Sequence, residues 1–326
     1  MAAVTQNQFS LLGELFQTGK RPNTFLRLLG GIQGQVMETT AKEFPTGVYY
    51  SLRSPSQPAN LEGANAPAPS NRTISQSTNV IQIFQEAVTL TYLAMGDKTM
   101  SGVVPLPQGT QNNPVVNPRD SAWQIKTALD IVAQDANYSF LNGVLSNPSD
   151  PSSTALKTRG LLTGIVTNTS DHSADTSVTP AMYRAYINSL LAQMIQSNGY
   201  LIDENFTLLA GVTEFANICA SYEAIGTQYL QPEQEVFGVK CRKIVTRFGS
   251  LLLALDPDVP AQTVAIADMG VCGVVGMPVP GKGLLFAEEL AKVGSAEPMQ
   301  IYGQLGFDGA FEALHGKFKV PSALSL

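Results

Sequence analysis

The chain has 326 residues, enough for one elaborate domain or two around a substantial core. Only 14% of residues are charged, against about 25% in ordinary soluble domains, so Gln, Asn, Ser, Thr and Gly carry most of the polar surface. A net charge of -6 with no basic run excludes a surface built to grip nucleic-acid phosphates.

Cys219, Cys241 and Cys272 are widely spaced, odd in number and outside any C-x-x-C motif, which fits a reduced, intracellular chain. The N-terminus has no basic leader followed by an apolar core, and no apolar run of about 18 residues is present, so neither a signal peptide nor a membrane span is expected.

Taken in order, residues 9–16 form a short amphipathic segment and 25–29 an apolar patch closed by Gly30 and Gly31, together an N-terminal arm. Residues 47–53 alternate, with Val48, Tyr50 and Leu52 on one side and Tyr49, Ser51 and Arg53 on the other, the period of a strand. Residues 54–77 are rich in Pro, Asn, Ser and Ala, and β-type residues resume over 80–94. Two strands around a long polar tip predict a protruding hairpin.

The longest uniform signal is 118–145. Ala122, Ile125, Leu129, Val132, Ala136, Phe140 and Val144 recur at steps of three and four, which predicts one long helix. Asn117, Pro118 and Asp120 suit its start, and Asn147 before Pro148 its end. Leu129 is expected on the buried face.

Beyond it, LLTGIV at 161–166 reads as a strand, and Thr179 with Pro180 opens a helix whose Tyr183, Ile187, Leu190, Met194 and Ile195 share a face. A buried strand over 206–210, a short helix from Thr213, a hairpin over 239–246 and 251–255, and a strand over 263–267 follow. Residues 284–290, 299–305 and 311–320 close the chain, the last two read as strands around 306–309. Mixed strands and helices make the class α+β.

Catalytic chemistry is sparse. Residues 276–282 fit G-x-x-x-x-G-K, yet the Mg²⁺-binding Ser or Thr is replaced by Gly283, and Pro278 and Pro280 offer no N–H to a phosphate. A nucleotide-binding enzyme built on Lys282 is the alternative from another functional class. His172 and His315 lie far apart in the sequence, with no G-x-S-x-G to pair with either.

An extended hairpin with a polar tip, a long helix, an α/β region and closing strands, in that order, resemble a tailed-bacteriophage major capsid protein of the Hong Kong ninety-seven fold. Within that family the chain is similar to a subgroup carrying motifs like NLEGANAP, here 60–67, NVIQIFQEAV, here 79–88, and MQIYGQLGFDGAFEALHGKF, here 299–318. The resemblance covers nearly the whole chain.

It implies an N-terminal arm over 1–43, an extended β-hairpin loop over 44–100, and a peripheral domain over 101–178 whose spine helix is 118–145. An axial domain over 179–275 and return strands over 276–326 complete it. It further implies a non-enzymatic subunit without cofactor or bound metal, assembling as pentamers and hexamers into the icosahedral head that encloses double-stranded DNA without sequence-specific binding. Scaffolding, portal and decoration proteins are possible separate partners, no membrane is involved, and assembly takes place in the host cytoplasm before the protein resides in the virion. With no long helical segment ahead of the arm, any scaffold is expected to be a separate protein. Tyr50, Arg53, Asn60, Glu62, Asn71 and Arg72, in and beside the tip, are the implied inter-subunit contacts. An encapsulin-type nanocompartment shell of the same fold shares every one of these features.

Overall fold

The computed structural model describes residues 21–31, 36–52, 56–57, 61–63, 65, 71–96, 102–103, 115–116, 121–175, 179–198, 205–226, 229–292 and 294–321. The first elements are α1 (Thr24–Leu28), β1 (Val36–Glu38), β2 (Glu43–Tyr49), β3 (Ser75–Val80), β4 (Gln82–Thr91), α2 (Tyr92–Gly96), β5 (Gly102–Val103) and β6 (Val115–Val116). The middle of the chain forms α3 (Ser121–Asn142), α4 (Leu161–Gly164), β7 (Thr169–Asp171), α5 (Pro180–Asn198), β8 (Phe206–Ala210) and α6 (Val212–Glu223). The last elements are β9 (Leu230–Val236), β10 (Val239–Val245), β11 (Ser250–Leu255), β12 (Thr263–Asp268), β13 (Gly273–Gly276), β14 (Leu285–Glu289), β15 (Ala296–Asp308) and β16 (Gly316–Lys319).

Strand β15 is the axis of a five-stranded sheet. All ten residues of β4 pair antiparallel along one edge, β14 and β13 share the other, and β1 extends beyond β13 in parallel. The alternation in β4 is that of a half-buried strand, with Phe84 and Leu90 turned inward and Ile83, Gln85 and Thr89 outward. A seven-stranded mixed sheet runs β7-β16-β12-β8-β11-β10-β9. Sheet membership does not follow blocks of chain: β16 joins the seven-stranded sheet beside β12, while β13 joins the five-stranded one.

The period of two divides the seven-stranded sheet between two cores. Phe206, Leu208, Leu251, Leu253, Val264 and Ile266 pack with Tyr183, Ile187, Leu190 and Met194 of α5 and Ile218 of α6. Their neighbours Leu209, Ala254 and Ala267 belong to the core beneath α3, with Phe25, Ala128, Val132, Ala136, Phe140 and Phe307. There the ring of Phe140 meets Phe84 edge-on at 6.1 Å and stacks with Phe307 at 6.0 Å.

This second core also contains a buried polar cluster. Asp256 accepts the Phe25 N–H at 2.9 Å and the Asp258 N–H at 2.9 Å. The side-chain amide of Asn137 donates to Asp258 at 2.7 Å, and its carbonyl accepts the Leu26 N–H at 2.9 Å. Arg21 closes the set with a 2.7 Å ion pair to Asp258. Burial raises the Asp256 pKa above the usual carboxylate value, so its three donors matter more than they would at a surface. The cluster ties α1 to α3 and to the end of β11.

Several expectations are corrected. The long helix ends at Asn142, three residues short of the expected end at Leu145, where Gly143 sits so close to the chain that a Cβ would lie 2.4 Å from the carbonyl oxygens of both Ser139 and Thr158. Its start signals at 117–120 lie outside the described residues. The buried stripe is Ala128, Val132, Ala136 and Phe140, at strict four-residue steps, which leaves Leu129 39% exposed and Val144 beyond the helix and exposed. Residues 161–164 form a helical turn, closed by Gly164 N–H to Gly160 O at 2.9 Å, rather than a strand. Finally, β15 runs straight through Gly306 and β16 pairs with β12, so the last two strands lie in different sheets.

Candidate assembly surfaces

The β2–β3 hairpin stands on a rigid base. Glu43 to Thr46 pair with Val80 to Ser77, and the register shifts before Tyr49 meets Ser75. Gly47 occupies that bulge with φ +60°, and a Cβ there would lie 2.4 Å from the Ala310 oxygen, so only glycine fits. Asn79 is buried and fully used: its amide donates to Phe307 O at 2.7 Å and Arg159 O at 3.0 Å, and its oxygen accepts the Arg159 N–H at 2.8 Å. The Thr46 hydroxyl donates to Asp308, and the Tyr49 ring packs against Phe311 in a tilted arrangement, centroids 4.4 Å apart.

Above that base the side chains have little to pack on. Val48, Tyr50, Leu52, Leu61 and Ile74 are exposed, Leu61 by 82% and both Leu52 and Ile74 by 73%. Of the sequence-derived contact residues, Tyr50, Glu62, Asn71 and Arg72 are exposed on this element, whereas Arg53 and Asn60 lie outside the described residues. Leu52, Leu61 and Ile74, exposed apolar residues in and beside the polar tip, were not singled out from the sequence, although isolated apolar residues among polar ones were the available signal. The paired strands also lie earlier than expected, because the returning strand breaks at Ile81 and continues as β4 in the five-stranded sheet.

A second surface feature is a cleft of about 680 Å³ between α5, the end of α6 and the far end of β10, lined by Ala185, Tyr222, Ile225, Tyr229 and Val245 with Arg184 and Arg247. Arg184 donates to Ser221 O at 3.0 Å, and among the described residues neither arginine is paired with a carboxylate. Tyr222 is 2% exposed with no partner for its hydroxyl, and burial pushes its pKa up to about 12. Sequence reasoning gave no hint of this cleft, since three separated elements build it.

The motif at 276–282 has no phosphate-binding context. It leaves β13, makes a tight Val279–Gly283 bridge and enters strand β14 where a helix would be required. Lys282 is tied to Glu288 and sits 5.2 Å from the Phe286 ring centre. His172 stacks on Tyr186 at 3.9 Å. His315 is buried and bridges two backbone groups, donating from Nε2 to Gly309 O at 2.7 Å and accepting the Asp268 N–H at Nδ1 at 3.2 Å. Among the described residues no three His, Cys, Asp or Glu side chains converge on a metal position, and no helix is long and apolar enough to cross a membrane.

The whole architecture is shared with shell-forming subunits. The chain superposes on the cyanophage A-1(L) capsid over 98% of its length and 99% of that chain, with a TM-score of 0.60 at 9% identity. The capsid of the native GTA particle matches over 95% and 94%, with a TM-score of 0.57 at 12% identity. The holo-SrpI encapsulin of Synechococcus elongatus PCC 7942 matches over 97% and 96%, with a TM-score of 0.58 at 11% identity. The fold is that of a capsid subunit. No curated protein matches the chain in sequence. Residues 1–322 match the model of the SU10 major capsid protein family, and the chain belongs to that family as a structural protein of the phage capsid.

Proposed function

We propose that copies of this major capsid protein close into an icosahedral head of pentamers and hexamers, with the β2–β3 hairpin of each copy lying over its neighbour. The supporting observation is the hairpin itself: a base fixed by Asn79, Gly47 and Thr46 carries Leu52, Leu61 and Ile74, which the described residues leave exposed. On this reading α3 is the spine of a peripheral domain built on the five-stranded sheet. The seven-stranded sheet with α5 and α6 is the axial domain, and residues 1–43 form an arm. The subunit performs no catalysis and holds no cofactor. It assembles in the host cytoplasm and encloses double-stranded DNA through a weakly charged, net acidic chain that lets the polymer slide.

The test is replacement of residues 51–73 by a short Gly-Ser turn. The variant is expected to keep the wild-type circular-dichroism melt while shells vanish from electron micrographs. Unfolding of the variant, or normal shells, would overturn the assignment of the hairpin. The nanocompartment reading is favoured only by the likeness to SrpI encapsulin. Shells isolated from their native source that hold enzyme cargo in place of nuclease-protected DNA would establish it.

A further inference from the structure

The turn joining β9 to β10 is built against its own preferences. Phe237 and Gly238 are its two central residues, with φ of 49° and 75°, a left-handed pair that Asn-Gly adopts readily and a bulky aromatic does not. Phe237 is nevertheless 72% exposed, so its ring receives little packing from the described residues in return for that strain. At the opposite end of the same hairpin lies the cleft of Arg184, Arg247 and the orphaned Tyr222 hydroxyl. Seven residues of β10 at about 3.3 Å each separate tip and cleft by ~20 Å.

We propose that the Phe237 tip of one copy inserts into the Tyr222 cleft of the next, making a head-to-tail contact that builds the rings of the shell. This rests on the capsid reading and names the residues of one of its contacts. The complementarity is both apolar and charged. Ala185, Ile225 and Val245 offer a wall for the ring, and exposed Glu235, two residues before Phe237, brings a carboxylate to the two arginines, which have no acidic partner among the described residues. Because the two patches differ and lie at opposite ends of one hairpin, the contact is heterologous, the kind that closes into a ring when the rotation allows. The cleft is several times larger than a phenyl ring, so one anchor can seat at the slightly different angles of five-fold and six-fold rings.

The test pairs a substitution with a cross-link. Phe237→Asn relaxes the turn, so the subunit should melt no lower than wild type, while the yield of shells falls about tenfold or more. Arg247→Glu should abolish assembly, and adding Glu235→Arg should restore part of it. In full-length protein carrying Phe237→Cys with Ile225→Cys, mild oxidation of assembled shells should give a ladder of disulfide-linked oligomers. Cys219 and Cys241 are buried, and the partly exposed Cys272 is controlled for by the single variants Phe237→Cys and Ile225→Cys, which should give no ladder. Shells that form normally with Phe237→Asn and give no ladder overturn this contact alone. Wild-type protein that stays monomeric under every assembly condition overturns the capsid reading and this contact with it.

Discussion

Toward α5 and α6 the seven-stranded sheet presents Leu208, Leu253 and Ile266 to Tyr183, Ile187 and Leu190, an apolar sandwich. Toward α1 and α3 the same strands present Leu209, Ala254 and Ala267, and the gap is closed by small residues on α3 together with Asn137, Asp256 and Asp258. Apolar surfaces can slide and repack with modest loss, whereas a buried carboxylate with specified donors has one acceptable arrangement. The side that holds the long helix α3 and the short helix α1 is the side with the polar cluster.

Asn137→Leu should break this contrast most strongly. It keeps the branched shape but leaves the Leu26 N–H without an acceptor and removes one donor from the buried carboxylates, an expected loss of about 2–5 kcal/mol in chemical denaturation. Ile187→Val on the opposite face should cost only about 0.5–1.5 kcal/mol. Equal losses would mean the two faces are held alike.

A smaller effect is expected where β15 passes the chain to β16. Burial holds the His315 imidazole below its ordinary pKa, and its Nδ1 must stay unprotonated to accept the Asp268 N–H. The unfolded chain therefore binds this proton more readily, so the stabilisation is complete above the unfolded value of about 6.5 and is lost as pH falls toward the lowered folded value. Wild type should melt lower at pH 5.5 than at pH 7.5, and His315→Gln should show a flatter dependence whatever its starting stability. An identical slope in the two proteins would exclude His315 as the source.

The smallest change belongs to Leu129→Ala. Its 39% exposure and position off the Ala128–Val132–Ala136–Phe140 stripe predict a loss below about 1.5 kcal/mol, short of the 2–5 typical of fully buried leucines. A larger loss would mean that Leu129 packs more deeply within the subunit than its 39% exposure indicates.

Much of the fold was legible because period and length agree: α3, α5, β8 and the β10–β11 hairpin all follow from residue spacing. The errors share a cause, which is tertiary surroundings that spacing cannot report. A periodic set that includes both Leu129 and Val132 fits a stripe on either side, and contacts with β4, β15 and α1 chose the side with Ala128. Residues 161–164 have the composition of a strand, yet the backbone turns there because the chain must pass beside Gly143. Strand β9 escaped notice because Pro232 and two glutamates obscure its alternation, and it survives as an edge strand, where a missing N–H matters least. Of the candidate site, the polar tip was visible in composition. The Phe237 turn and the Tyr222 cleft required three-dimensional neighbours.

The break at Ile81 has a mechanical consequence. β3 and β4 are nearly one strand, so tension applied to the β2–β3 hairpin enters the subunit along the chain axis of β4. All ten residues of β4 are hydrogen-bonded in register to β15, and a pull along that axis loads the ladder in shear. Bonds loaded in shear share the force and must yield together, whereas a ladder pulled from its end peels one rung at a time. The buried Asn79, immediately outside the break, grips Arg159 and Phe307 and resists the sideways component that would start peeling. On the proposed reading of the hairpin as the element that lies over a neighbour, it would act as a tensile strap anchored deep in the subunit, carrying load without unravelling the sheet that holds it.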